Sequence, residues 1–315
     1  MEIIKCIPAF KDYLWGGSSM KKFYPTLQTP VPLAESWLLS SNKDGESIVS
    51  GGKYDGISFS DYIEKSGRSI LGKNAEKFNF FPVLIKFIDA KLPLSIQVHP
   101  NDEYALKNEN SYGKTEMWYI VDAEKDAFIY FGLAKTLSKT EFSQSIENDT
   151  ILDYLNKVPV KKGDCFFIES GTIHAIGAGI IIAEVQQNSN ITYRVYDYDR
   201  KDKDGNSREL HIDKAVDVTT LDRLEIAPQN GNTNSHKRLL ASCEYFTVEY
   251  IGVDDEKIMK QSDKSFQSLI CIDGNLNLTY LDQSIAFSEG ESIFIPAGNF
   301  EYKLDGNGAL LKTTV

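Results

Sequence analysis

The fold turns on Gly163-Asp164-Cys165-Phe166-Phe167-Ile168-Glu169-Ser170-Gly171, which returns in outline as Gly290-Glu291-Ser292-Ile293-Phe294-Ile295-Pro296-Ala297-Gly298. Each copy sets a four-residue strand-like run between glycine-bearing turns. The copies are 127 residues apart (163 to 290). Upstream, Val121-Asp122-Ala123 resembles Ile272-Asp273-Gly274 at an offset of 151 (122 to 273). The difference of 24 residues implies an insertion in the first copy. Its signals are helical: Ser138-Lys139-Thr140-Glu141 reads as a capping box, and Thr150-Ile151-Leu152-Asp153 as a second helix start running towards Val158 and ended by Pro159. Two related β-barrels in tandem are the simplest account, with chance similarity of two short strand–turn segments as the competing one.

Outward from the repeat, short strand signals dominate. Leu94–His99, Met117–Val121, Ala127–Phe131, Phe246–Ile251 and Ser292–Ile295 are rich in β-branched and aromatic residues, and turn residues such as Lys161-Lys162-Gly163-Asp164 and Asp273-Gly274-Asn275 separate such runs. This pattern predicts a β-sandwich or barrel. Further helices are expected near 58–66 and 211–222.

The 315 residues set a prior of about two domains. With 34 basic and 45 acidic side chains the net charge is −11, which argues against a nucleic-acid backbone as partner and requires a local cation cluster for any anionic substrate. No apolar run reaches the roughly 20 residues that span a bilayer, so no membrane partner is expected. The first residues lack the charge and apolar order of a secretory signal. Cys6, Cys165, Cys243 and Cys271 are scattered, which fits free thiols and a cytoplasmic location.

Four histidines are present: His99, His174, His211 and His236. Gln97 and His99 share one face of a strand. Glu116 follows 17 residues after His99, and His174 another 58 later. Two imidazoles, a carboxylate and an amide oxygen suit zinc, with room for water or substrate. The alternatives stay open at this level: His99, before Pro100, as a turn residue, and His174 as a partner in a loop hydrogen bond. The repeat places Glu301 where the first copy has His174, so ligand chemistry is expected in the first barrel alone, and His211 and His236 are not expected as ligands. Glu184 is a candidate general base and Arg194 a clamp for phosphate or an oxyanion, against the reading of both as an ordinary surface ion pair. Lys114 is a further cation. Lys86, inside Val83-Leu84-Ile85-Lys86-Phe87-Ile88, is costly to bury unless it faces a polar cleft.

Leu94-Ser95-Ile96-Gln97-Val98-His99-Pro100, Gly113-Lys114-Thr115-Glu116-Met117-Trp118-Tyr119 and Gly171-Thr172-Ile173-His174-Ala175 resemble signature blocks of the type I phosphomannose isomerases, zinc enzymes of the cupin superfamily. Ala34-Glu35-Ser36-Trp37, Glu184 and Tyr193–Asp199 extend the resemblance, which looks like the short bacterial form. It implies a mainly β chain of tandem cupin (jelly-roll β-barrel) domains with a few short helices inserted. A catalytic domain would span 1–234, with a helical insertion at about 133–159, and a degenerate, metal-free cupin domain 235–315. The resemblance further implies one zinc per chain on Gln97, His99, Glu116 and His174, with Arg194, Glu184 and Lys114 catalytic and Lys86, Lys114 and Arg194 on a phosphosugar. The implied reaction interconverts mannose 6-phosphate and fructose 6-phosphate through a cis-enediol. A non-catalytic bicupin binding a sugar or sugar phosphate is the alternative, and an iron-dependent cupin oxidoreductase a third reading. One departure is visible: the second cupin motif has proline where this chain has Glu169, and Pro296 holds that place in the second copy.

Overall fold

The computed structural model describes residues 2–201, 204–226 and 235–315. The chain is mainly β, in three sheets with four short α-helices among the described residues. The C-terminal sheet has eight strands, two of which are the N-terminal strand Ile4–Ile7 and its neighbour Ile48–Ser50. Two sheets of six and five strands make the larger, N-terminal part. The expected domain boundary at 234 falls at the edge of a stretch outside the described residues. No helix among the described residues is long and apolar enough to cross a membrane.

The internal repeat is structural. Cys165–Ile168 pairs antiparallel with Glu116–Ala123 so that Ile168 faces Glu116. Ser292–Ile295 pairs with Gln267–Tyr280 so that Ile295 faces Gln267. Both registers reproduce the offsets of 127 and 151. Gly163 and Gly290 open the two copies with φ of 94° and 90°, a conformation that disfavours side chains.

The copies differ in how their strands run. The C-terminal barrel uses two continuous 15-residue strands, Thr247–Gln261 and Phe300–Thr314. In the first barrel the equivalent chain is interrupted, as Val83–Ala90 then Ile96–Val98, and as His174–Ile176 then Ile180–Gln187. The cross-strand pair His174–Gln97 corresponds to Glu301–Lys260, an exposed ion pair at 3.5 Å. The interior of the second barrel is filled by Leu269, Leu278, Ile293, Leu304 and other buried apolar residues. Tyr302 closes on Gln267 with a hydroxyl hydrogen bond of 2.6 Å.

One expected element is corrected. The capping box at Ser138 starts a helix, Lys139–Glu147, with both reciprocal bonds formed. The segment after Thr150, however, makes only a 3-10 turn, Ile151–Tyr154, and then the strand Leu155–Pro159. Pairing with Phe128–Leu133 at the edge of the five-stranded sheet outweighs the local helix signal, and an edge strand tolerates Pro159. The helices expected near 58–66 and 211–222 occur as Phe59–Ser66 and Ile212–Val218.

Candidate active site

A row of side chains crosses the six-stranded sheet. Trp37, Lys86, Glu184, Trp118 and Phe166 occupy matched positions on five adjacent strands. Because they share a sheet face, a lysine and a glutamate are carried into the barrel interior, 4% and 2% exposed. Lys86 Nζ lies 3.2 Å from Glu184 Oε1 and 3.7 Å from Glu35 Oε2. An indole orients each carboxylate: Trp118 Nε1 donates to Glu184 Oε2 at 2.9 Å, and Trp37 Nε1 to Glu35 Oε2 at 2.6 Å. Burial works against the Lys86 ammonium, but Glu35 and Glu184 outweigh it and hold its pKa above the ordinary lysine value. Burial likewise pushes Glu184 up, yet Lys86 and Lys114 prevail and leave it below the ordinary glutamate value, so it is ionised at neutral pH.

The predicted ligands meet beside this row. Gln97, His99 and His174 come from the five-stranded sheet and its loops, and Glu116 from the start of a strand in the six-stranded one. Gly113 permits the approach: a Cβ there would stand 2.6 Å from the Pro100 carbonyl oxygen and 2.4 Å from the Asn101 carbonyl carbon. The Lys114 amide donates to Pro100 O at 2.9 Å, and the Gly171 amide to His99 O at 2.8 Å.

The geometry suits a cation. His99 Nδ1 donates to Ile191 O and His174 Nδ1 to Thr172 O, each at 2.8 Å. The second nitrogen of each ring therefore turns a lone pair inward. Those nitrogens stand 3.7 and 3.3 Å from the Glu116 carboxylate. One ligand atom from each of His99, Glu116 and His174 lies within 4.8 Å of the others. His99 Nε2 and both Glu116 oxygens are buried without a well-formed hydrogen bond, a costly arrangement that a bound cation would relieve. Gln97 Nε2 is 3.4 Å from His174 Nε2, and a half-turn of the amide exchanges it for Oε1. Burial holds His99 well below, and His174 at about 4 against, the ordinary histidine value. It lifts Glu116 to about 7, against the pull of Lys114, whose ammonium is 2.8 Å from Oε2. Neutral imidazoles and a carboxylate in need of positive charge fit a divalent metal.

Gln97 of this cluster also lines a cavity of about 260 Å³, together with Lys86, Lys114, Glu184, Arg194 and Arg208. Arg194 is cross-strand from Gln97, with Nε 3.2 Å from Ser95 Oγ and Nη1 2.9 Å from Glu209 O. His211 stands behind it, accepting from the Arg194 amide at 3.3 Å, and His236 is exposed beside Asp254. Of the site residues expected from sequence, Lys86, Gln97, Lys114, Glu184 and Arg194 line this cavity, and His99, Glu116 and His174 form the buried cluster next to Gln97. Sequence reasoning missed Arg208 and gave no role to Glu35. Arg208 sits in a polar loop with no periodicity, whereas the unusual placing of Lys86 inside an apolar run was a signal that a carboxylate partner had to exist.

Two family models match the chain: phosphomannose isomerase type I, catalytic domain, over residues 3–134, and mannose-6-phosphate isomerase, cupin domain, over 235–315. The mannose-6-phosphate isomerase ManA of Bacillus subtilis is 38% identical over 95% of this chain and 94% of its own. A mannose-6-phosphate isomerase of Streptococcus mutans is 35% identical over 93% and 92%. The crystal structure of the mannose 6-phosphate isomerase from Bacillus subtilis superposes with a TM-score of 0.92 at 32% identity, covering 100% of both chains.

Proposed function

The chain belongs to the type I phosphomannose isomerases and is an aldose–ketose isomerase of mannose 6-phosphate, and we propose that it works with one zinc ion held by Gln97, His99, Glu116 and His174. The observation that carries this reading is the convergence of two inward-facing imidazole nitrogens on a carboxylate whose oxygens lack well-formed hydrogen bonds, beside a cavity lined by cations. When bound, the ion supplies Lewis acidity to the sugar's carbonyl and hydroxyl oxygens.

The chain's own residues divide the remaining work. Glu184, which lines the cavity, is the base: one oxygen is fixed by Trp118, and the other lies 3.2 Å from Lys86. It takes the proton from C2 of the open-chain aldose and returns it to C1, leaving the cis-enediol between the two transfers. Lys86 keeps Glu184 ionised in a buried setting and adds positive charge beside the developing enediolate. Lys114, 2.8 Å from Glu116, pulls against the burial that lifts that carboxylate and adds a further positive charge at the cavity. Arg194, which donates to the Ser95 hydroxyl and the Glu209 carbonyl, binds the substrate's negative charge and orients the sugar. The C-terminal barrel serves as a packed structural partner without a metal.

The test is conversion of mannose 6-phosphate to fructose 6-phosphate by purified protein, with loss on chelation and recovery on adding zinc. No conversion by zinc-loaded protein would refute the reading. Persistence of full activity after complete metal removal would refute the zinc assignment while leaving the isomerase.

A further inference from the structure

Two arginines, Arg200 and Arg208, share one buried carboxylate just beyond the strand that carries Arg194. Asp197, 6% exposed, follows the strand Tyr193–Tyr196 that carries Arg194. Arg208 engages it side-on, with Nε 2.7 Å from Oδ2 and Nη2 on Oδ1. Arg200 also binds Oδ1, and it is tied off further: Nε donates to Asp197 O at 3.2 Å and Nη1 to Pro93 O at 2.6 Å. Arg200 is absent from the cavity wall, whereas Arg194 and Arg208 both line it. The cluster is short of negative charge. Burial and, after it, the neighbouring Arg208 disfavour the charged form of Arg194, and Asp197 is bonded to two guanidinium groups while Arg194, among the described residues, donates only to neutral acceptors. Such an excess is expected where an anion completes the site.

We propose that Arg208, positioned by Asp197, is the second arm of a clamp that grips the substrate's phosphate together with Arg194. The proposal rests on the sugar-phosphate reading above and extends it to a residue outside the sequence-derived set. Its geometry groups the two cations: Arg194 lies on the strand Tyr193–Tyr196, Asp197 follows that strand's end and holds Arg208, and both arginines line the cavity. The side-on pair uses Nε and Nη2 of Arg208, and Nη1 lies outside it, so the fork stays fixed while its remaining corner meets the ligand. Asp197 is thus a positioning residue and Arg208 a binding residue.

The experiment compares Arg208→Gln, Arg208→Lys, Asp197→Asn and Arg200→Gln with the wild type, all zinc-loaded and checked for folding by thermal melting. Steady-state kinetics with mannose 6-phosphate is run beside calorimetric titration with inorganic phosphate. Arg208→Gln is expected to raise KM at least tenfold with kcat changed less than threefold, and to weaken phosphate binding by a similar factor. Arg208→Lys should fall between it and the wild type. Asp197→Asn should raise KM in the same direction, and should add nothing in the Arg208→Gln background, because its effect runs through Arg208. Arg200→Gln should lower thermal stability while KM moves less than threefold. Unchanged KM and phosphate affinity in Arg208→Gln would overturn the clamp. So would an equal rise of KM in Arg200→Gln, which would trace the effect to the turn. Should Arg208→Gln fail to fold, Arg208→Lys decides: wild-type KM and phosphate affinity there would overturn the forked grip. A wild type inactive on mannose 6-phosphate would sink the functional reading alone, since the phosphate titration still judges the clamp.

Discussion

Replacing Lys86 by methionine tests the buried charge row directly. The ammonium is 3.2 Å from Glu184 and 3.7 Å from Glu35, and all three groups are less than a tenth exposed. At an effective dielectric of about 20 the closer contact is worth on the order of 5 kcal/mol and the longer one slightly less. Desolvation offsets most of this when the ions form together. Removing the cation alone leaves two buried carboxylates facing each other, a loss of about 3–5 kcal/mol at pH 7. The pH dependence carries the sharper signature. In the wild type Glu184 titrates below its ordinary value of 4.5, so its contribution is present above that pH and fades as pH falls. In Lys86→Met burial, already the largest single influence, is opposed only by Lys114 and the Trp118 hydrogen bond and raises Glu184 above 4.5. The native state then binds more protons than the unfolded state, so the deficit is largest at neutral pH and shrinks as pH falls towards 5. The assay is urea unfolding of wild type and variant at pH 7 and pH 5, with Lys86→Met/Glu184→Gln as the partner variant. The double variant should recover more than 1 kcal/mol of the loss, since contacting charges couple. A deficit below 1 kcal/mol at pH 7, or one that grows on acidification, would refute this account of the row.

Three further outcomes follow from the geometry. Arg194→Ala should keep fold and metal yet lose on the order of 100-fold or more in kcat/KM, with Arg194→Lys recovering only part, as read by kinetics and metal content on one sample. Gly113→Ala drives a Cβ into the Pro100–Asn101 backbone and so pushes Glu116 away from His99; metal retained after dialysis should drop well below wild type. Ser138→Ala removes a formed capping box from the helix Lys139–Glu147 and should cost about 1 kcal/mol in denaturant unfolding with kcat unchanged.

The fold was legible where local chemistry and tertiary structure agree. The runs at Cys165–Ile168 and Ser292–Ile295 are largely apolar on both faces because both faces are buried or packed, and Gly163 and Gly290, which open them, hold the positive φ that their turns require. The helix expected to run to Val158 failed because strand pairing, a non-local interaction, outweighed a plausible start at Thr150 and stop at Pro159. The ligands were legible because few histidines exist and Gln97 and His99 alternate on a strand. Lys86 announced itself as a charge in an apolar run. Its second partner Glu35 did not, because its place beside Lys86 depends on the pairing of Glu35–Leu39 with Val83–Ala90. Arg208 was illegible for a similar reason: its position depends on Asp197, eleven residues earlier across an irregular loop.

The central claim is that four side chains of the first barrel, and none of the second, hold the metal. Anomalous diffraction from crystals of zinc-loaded protein, collected on both sides of the zinc absorption edge, tests it most directly. The account predicts one strong peak per chain, within bonding distance of Gln97, His99, Glu116 and His174. A peak at Lys260, Gln267 or Glu301, or an active crystal with no zinc peak at the first site, would contradict it.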